Sequence, residues 1–78
     1  MNLQIVTPDS NIFDGEASLI KLPGIDGSFE VLENHAPIIS VLKQGELKVI
    51  KADKTEALFP IKGGVVEVLN NKVLILIQ

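Results

Sequence analysis

The chain contains one histidine, His35, and this side chain is the best suited to acid–base chemistry near neutral pH. It lies in the stretch Glu33–Pro37, which reads Glu-Asn-His-Ala-Pro. As a general base it would need a nucleophile and an orienting carboxylate within reach. No nucleophile motif surrounds the available hydroxyls, which belong to Ser28, Ser40 and Thr55. The sequence therefore predicts a loop histidine that hydrogen-bonds its neighbours or contacts a partner, and no catalytic residue.

Metal and phosphate binding have little support. One histidine and no cysteine do not make the usual ligand set of a transition-metal site. The glycine pair Gly63-Gly64 fits neither of the glycine-rich patterns that bind phosphates, so we expect it to serve backbone geometry. The acidic residues are dispersed, as on a solvated sheet face. We expect no metal and no cofactor.

Lys54 is a second candidate for chemistry, in the polar stretch Ala52–Ala57. The stretch resembles the Asp-Lys-Ala hairpin tip of lipoyl carrier domains, and Gly45-Glu46 resembles their Gly-Asp turn. In that all-β family the lysine is the attachment site of the cofactor. The family pattern also has a second glycine turn before the lysine, which this chain lacks. A polar hairpin turn is the favoured interpretation; a lipoyl- or biotinyl-type carrier with Lys54 as attachment site is the alternative.

Composition and charge restrict the partners. The chain has 78 residues, enough for one domain over 1–78, and a net charge of −3. Without a basic cluster or stacking aromatics, nucleic acid is not an expected partner. Met1–Ile5 does not resemble a secretion signal, and the longest apolar stretch, Val73–Ile77, is far shorter than the ~20 residues of a membrane span. These features predict a soluble protein that is cytoplasmic or lies on a cytoplasmic membrane face.

Short apolar runs separated by turn residues predict an all-β domain, a small sandwich or flattened barrel of about eight to ten short strands. Val73–Ile77 is apolar on both faces, so this strand should be central in its sheet or covered. The predicted strands are Leu3–Thr7, Glu16–Leu22, Ser28–Leu32, Pro37–Leu42, Glu46–Lys51, Glu56–Ile61, Val65–Leu69 and Lys72–Ile77.

Turn residues between these runs predict particular backbone conformations. Asp14-Gly15 and Asp26-Gly27 are expected to supply the positive φ of tight turns. Asn70-Asn71 predicts a two-residue hairpin turn with both residues left-handed. Gly45 and Gly63-Gly64 are expected at sharp bends or close backbone contacts.

The stretch Gly24–Ile39 closely resembles the signature region of the epsilon subunit of F-type ATP synthases. That family has a Gly-x-x-Gly loop, a short strand, a His-Ala-Pro tripeptide and an apolar strand in this order. Here the loop is Gly24–Gly27 and the tripeptide is His35-Ala36-Pro37. Further family patterns match in order along the chain, at Ile12–Gly15, Lys43–Gly45, Gly63–Val68 and Asn71–Val73.

The resemblance covers this whole chain but only part of a typical epsilon subunit, in which two C-terminal helices follow the sandwich. Those helices hold the family's ATP-sensing motif and its inhibitory segment, so the resemblance implies neither ATP binding nor extended-helix inhibition here. Asn34 replaces the usual glycine before His-Ala-Pro, and asparagine tolerates a left-handed backbone. Ser28 stands where many relatives have glutamate.

The resemblance implies a non-catalytic rotor subunit of the central stalk of a proton-translocating synthase. It would couple rotation of the c-ring to the gamma subunit and the catalytic head, on the cytoplasmic face of the bacterial inner membrane. Both partners have candidate contacts by the same resemblance. Those for gamma are Thr7, His35 and Ser40, and those for the c-ring are Asp26, Gly27, Ser28 and Phe29, with Phe29 or nearby aliphatics as the apolar anchor.

Overall fold

Strands account for nearly all the regular structure of Met1–Gln78, the residues that the computed structural model describes. The all-β prediction is confirmed, and the structure holds no helix suited to crossing a membrane. The eight strands are β1 (Asn2–Val6), β2 (Asn11–Gly24), β3 (Gly27–Leu32), β4 (Ile38–Leu42), β5 (Gly45–Lys51), β6 (Glu56–Ile61), β7 (Gly64–Leu69) and β8 (Lys72–Ile77).

The strands form one sheet that folds back on itself. Its order is β1-β8-β7-β4-β2-β5-β6, with β3 paired to β2. Strand β2 also pairs with β1, which gives the sheet a barrel-like closure. We call β1, β8, β7 and β4 layer A, and β3, β2, β5 and β6 layer B. Strand β8 lies between β1 and β7 in layer A, which confirms the central position expected from its two apolar faces.

Alternation along the strands builds one apolar core between the layers. Fifteen buried hydrophobic residues form a single cluster, and no polar or charged side chain is buried. Full burial of a large aliphatic side chain contributes roughly 1.5–3 kcal/mol, so the cluster is the main source of stability. Its largest fully buried members are Leu3, Ile5, Ile20, Leu22, Leu47, Ile75, Val31, Val49, Val66 and Val68.

The predicted turn at Asp14-Gly15 is wrong. Gly15 lies inside β2, opposite Leu3 of β1, and it has no positive φ. The chain reverses earlier, where the Thr7 hydroxyl accepts the Ser10 N–H at 3.0 Å and the Thr7 N–H donates to the Ser10 carbonyl at 2.9 Å. Because that reversal already brings β2 back along β1, the backbone at Gly15 is used in strand pairing and does not turn.

The other turn predictions are confirmed. Gly27 has φ 130°, and Asn70 and Asn71 have φ 53° and 60°. Asn34 has φ 60°, so it takes the left-handed conformation that asparagine was expected to tolerate at this position. At Gly45 the backbone approaches Pro23 so closely that an added Cβ would lie 2.8 Å from the proline Cβ.

Candidate docking surfaces

Part of the outer side of layer A carries apolar side chains where a solvated sheet would carry polar ones. The polar residues on the same side are Asn2, Gln4, Glu67 and Lys72. Strand pairing sets Val41 opposite Val65, Val65 opposite Leu76, and Leu76 beside Val6, so one apolar row crosses all four strands. Ile39 is 73% exposed. Contiguous exposed apolar surface of this kind is typical of interaction sites. We call it the apolar face, defined by Val6, Ile25, Ile39, Val41, Val65, Leu69 and Leu76.

A depression of about 450 Å³ lies at one end of the apolar face. It forms where β1 and β8 end, and Thr7 and Pro8 are on its rim. The lining is mainly aliphatic and contains no histidine, cysteine, aspartate or glutamate side chain, so its side chains offer shape and apolar surface. Its aliphatic lining residues are Val6, Val41, Leu42, Val65, Leu76 and Ile77.

The three residues expected to contact gamma are not clustered. Thr7 follows β1 at the end of layer A that carries the depression. His35 belongs to the other end, because its neighbour Asn34 bonds to Asn71, whose carbonyl accepts the Asn2 N–H at the start of β1. The rise of an extended strand separates the two ends by roughly 16 Å. Thr7 and His35 therefore lie at opposite ends of the apolar face.

Ser40 lies on the other side of β4 from Ile39 and Val41. It is paired with Val66, which is fully buried, so its half-buried side chain shares the core-facing side of the strand. Ser40 is therefore not part of the apolar face. The hydrophobic residues beside it are the larger exposed feature of β4.

The turn that presents His35 is held by polar contacts from other parts of the sheet. The His35 ring Nδ1–H donates to the Ala36 carbonyl at 2.7 Å. Glu33 accepts bonds from the Met1 amino group and, at 3.0 Å, from the Asn71 side-chain amide. These two bonds, the amino group first, hold the pKa of Glu33 below its usual value. The histidine has neighbours to bond, but no nucleophile beside it.

The hairpin tip expected to meet the c-ring divides into exposed and inward-facing residues. Asp26, Gly27 and Ser28 are exposed. Phe29 is half-buried and packs against the core, opposite buried Leu22, and an added Cβ on neighbouring Gly24 would lie 2.8 Å from the Phe29 ring. The exposed aliphatic of the tip is Ile25, at 59% exposure.

Ile25 joins the hairpin tip to the apolar face. Its N–H donates to the Val41 carbonyl at 3.0 Å, and the pairing of Gly24 with Leu42 sets Ile25 opposite Val41. The row that begins at Val6 therefore continues across β4 to the tip. The hairpin tip expected to contact the c-ring is therefore adjacent to the apolar face.

Lys54, the lysine of the carrier alternative, is exposed in the β5–β6 turn with φ 71°. The Asp53 carboxylate accepts the Thr55 hydroxyl at 2.6 Å and the Thr55 N–H at 2.9 Å. These bonds, the hydroxyl first, lower the pKa of Asp53. They build the turn locally, which accounts for an Asp and a Thr on either side of the lysine.

Sequence reasoning missed the apolar face. A signal was present, because the adjacent pairs Ile38-Ile39 and Val41-Leu42 in β4 and Val65-Val66 in β7 break the apolar–polar alternation of a half-solvated strand. Within a single strand, that pattern does not show which apolar residue points outward. The strand pairing in the structure supplies this information.

The fold and this surface define the class: a small β-sandwich domain whose main exposed feature is an apolar sheet face beside a glycine-containing hairpin tip. Residues 1–78 match the family described as "ATP synthase, Delta/Epsilon chain, beta-sandwich domain". The chain belongs to this family, as the resemblance of Gly24–Ile39 predicted.

Relatives and solved structures agree with the family. The chain is 41% identical over 76 residues to the ATP synthase epsilon chain of Chlorobium limicola, covering 97% of this chain and 86% of the relative. It is 40% identical over 78 residues to that of Sulfurimonas denitrificans, covering this whole chain but 60% of the relative. A chain of the Euglena gracilis mitochondrial ATP synthase (OSCP/F1/c-ring) superposes with a TM-score of 0.90 at 25% identity, over 96% of this chain and 48% of that one.

A second solved structure comes from the central stalk and c-ring of the Tetrahymena thermophila mitochondrial ATP synthase. It superposes with a TM-score of 0.82 at 25% identity, over this whole chain and 63% of that one. Both of these solved structures are therefore parts of ATP synthase assemblies that include the c-ring.

Proposed function

We propose that this domain is a non-catalytic rotor component of an ion-translocating ATP synthase. It binds the gamma subunit through the apolar face and rests on the c-ring through the hairpin tip, Ile25–Ser28. The complex holds it at the cytoplasmic face of the bacterial inner membrane. Family membership and the two similar stalk or c-ring assemblies support this function.

The apolar face is the observation that carries the gamma contact. The row of exposed Val41, Val65 and Leu76 with partly exposed Val6 costs solvation free energy in the free domain, and a partner that covers it recovers that free energy. The depression beside Thr7 can accept a bulky apolar side chain, and such buried anchors usually dominate the binding energy of an interface. His35 and Thr7 would then lie at the two ends of the contact.

The hairpin tip has the properties of a contact with polar loops. It presents the Asp26 carboxylate, the Ser28 hydroxyl and the bare Gly27 backbone, with Ile25 as the apolar contact. Phe29 packs inward and supports the tip from below. In this proposal Ile25, not Phe29, is the anchor of the c-ring contact.

Close-packed layers suit a component that transmits torque, because dense cores deform little under load. The hydrogen bond between Ile25 and Val41 supports a single rigid unit that carries both proposed contacts. Force from the c-ring would then reach gamma through the pairing of β2, β4 and β7, without an intervening hinge.

Native mass spectrometry of the chain mixed with the gamma subunit of the same organism tests the proposal. Leu76→Glu is expected to abolish the one-to-one complex, since it places a charge in the middle of the apolar row. Leu58→Glu is the matched control: Leu58 is 51% exposed on β6 of layer B, and Leu76 is 50% exposed on β8. Equal weakening by both variants, or no complex with the unaltered chain, would contradict the proposal.

A further inference from the structure

We propose that Asn71 is a positioning residue that fixes the His35 turn from the β7–β8 turn. The tie links two segments far apart in the sequence: the Asn71 side chain and the Asn34 backbone are separated by 37 positions. The importance of this tie for gamma binding rests on the proposed function. The effect of the tie on the structure of the His35 turn does not depend on that function.

The Asn71 side chain uses both ends of its amide. Its Oδ1 accepts the Asn34 N–H at 2.7 Å, and its Nδ2 donates to Glu33 Oε2 at 3.0 Å. One planar group therefore bonds to two consecutive residues of the segment that leads into His35. Two such bonds fix both the position and the orientation of that segment.

Asn71 is itself held in place, which is what a positioning residue requires. Its backbone is left-handed, with φ 60°, and its carbonyl accepts the Asn2 N–H at 3.1 Å. The side chain is half-buried. The tie therefore runs from the paired strands β1, β7 and β8 to a turn that lies outside the strands.

The His35 turn depends on such outside support. Asn34 is exposed and left-handed, and the local backbone bond of the segment joins the His35 N–H to the Leu32 carbonyl at 3.2 Å. The Met1 amino group bonds Glu33 from the other side. The Asn71 side chain is the hydrogen-bond partner of the Asn34 N–H, immediately before the histidine.

The neighbouring Asn70 gives a matched comparison. It has nearly the same left-handed backbone, with φ 53°, but its side chain makes no hydrogen bond. Glycine accepts this conformation at either position. Asn71→Gly therefore removes the amide contacts without straining the turn, and Asn70→Gly controls for the added backbone freedom.

Amide hydrogen exchange of the isolated domain, read by NMR, is the first test. In Asn71→Gly we expect the Asn34 amide to exchange about tenfold faster, in line with the loss of one or two hydrogen bonds, and the His35 ring resonances to move. Asn70→Gly should leave both unchanged. Equal Asn34 exchange in the two variants would overturn the proposal.

Reversal of the hydrogen bond separates positioning from general stabilisation. Asn71→Asp alone keeps an acceptor for the Asn34 N–H but sets two carboxylates side by side, so the His35 resonances should broaden or shift. Adding Glu33→Gln supplies a donor to the new carboxylate, and the unaltered His35 spectrum should return. If the His35 resonances of the double variant lie further from those of the unaltered protein than the resonances of Asn71→Asp do, the tie does not act as proposed.

The affinity for gamma, measured on the same variants, tells the two proposals apart. We expect Asn71→Gly to weaken the complex severalfold and Asn70→Gly to leave it intact. Faster Asn34 exchange with unchanged affinity would mean that the tie exists but His35 is not in the interface. An unaltered chain that binds no gamma would contradict the proposed function while the exchange result stands.

Discussion

Layers A and B build their inner sides in similar ways and differ along one row of their outer sides. Inward, both present mainly hydrophobic side chains at alternate positions, and most of these are fully buried. Outward, layer B presents the charged row Glu30, Lys21 and Lys48, and Lys48 pairs with Glu56 at 3.5 Å. Layer A presents the apolar row at this place, although layer B also exposes Leu32 and Leu58. The difference lies in solvent-side residues that the fold does not need, which points to a requirement beyond folding.

The largest expected effect tests whether the inner sides are equivalent. Ile75→Ala in layer A and Leu47→Ala in layer B remove fully buried side chains, and each should lower the free energy of unfolding by about 2–5 kcal/mol. Denaturant unfolding followed by circular dichroism measures both. The neighbouring outward variant Leu76→Ala should cost less than about 1 kcal/mol, because half of that side chain is already in water. Similar losses for Ile75→Ala and Leu76→Ala would mean that the apolar face is part of the core.

The sequence predicts well the strands and turns that build the inner sides of both layers. Alternation and turn residues located all eight strands, and the left-handed pair Asn70-Asn71 was predicted from its position between two apolar runs. These features are local, since they depend on neighbours two to four positions away. The start of β2 was missed because Asp-Gly is a turn signal by composition, whereas pairing with β1 keeps Gly15 extended.

The candidate site is less predictable because it depends on register and on distant contacts. In β4, Ile39 and Ile38 are the same residue type, and only the pairing with β7 shows that Ile39 points outward. Phe29 or a nearby aliphatic was the expected anchor, and the pairing of Phe29 opposite Leu22 turns that ring toward the core. The tie from Asn71 to Asn34 joins positions with no shared local pattern. A residue-by-residue resemblance could therefore identify the His35 segment in the sequence. It could not identify the apolar face that lies between Thr7 and His35.

A smaller effect concerns Glu33, which follows β3 of layer B and is bonded to Met1 and Asn71 beside layer A. Its pKa is lowered in the folded protein, first by the Met1 amino group and then by Asn71. The ionised form is therefore favoured by folding, and its stabilisation is present above the ordinary pKa and lost as pH falls through the lowered one. Asp53, whose pKa is lowered mainly by the Thr55 hydroxyl, contributes with the same sign.

Thermal unfolding of Glu33→Gln across the acid range checks this linkage. The variant should melt below the unaltered protein at neutral pH, and the difference should shrink once Glu33 is protonated in both folded and unfolded chains. Glu67→Gln is the control, since the Glu67 carboxylate makes no hydrogen bond or ion pair. A difference that is constant with pH would show that the carboxylate charge does not link the layers at this point.

The smallest effect compares one outward pair from each layer. Lys48–Glu56 in layer B and Val65–Leu76 in layer A are both cross-strand contacts, and double-mutant cycles to alanine should give about 0.2–1 kcal/mol for each. Their responses to salt should differ. The ion pair is exposed and should lose most of its coupling near 1 M salt, where the screening length falls to about 3 Å. The apolar pair has no charge to screen and should keep its coupling. A salt-insensitive Lys48–Glu56 coupling would mean that packing of the two side-chain stems, not the ion pair, stabilises this contact. The contrast between the two outer sides would then concern solubility and not the forces that stabilise them.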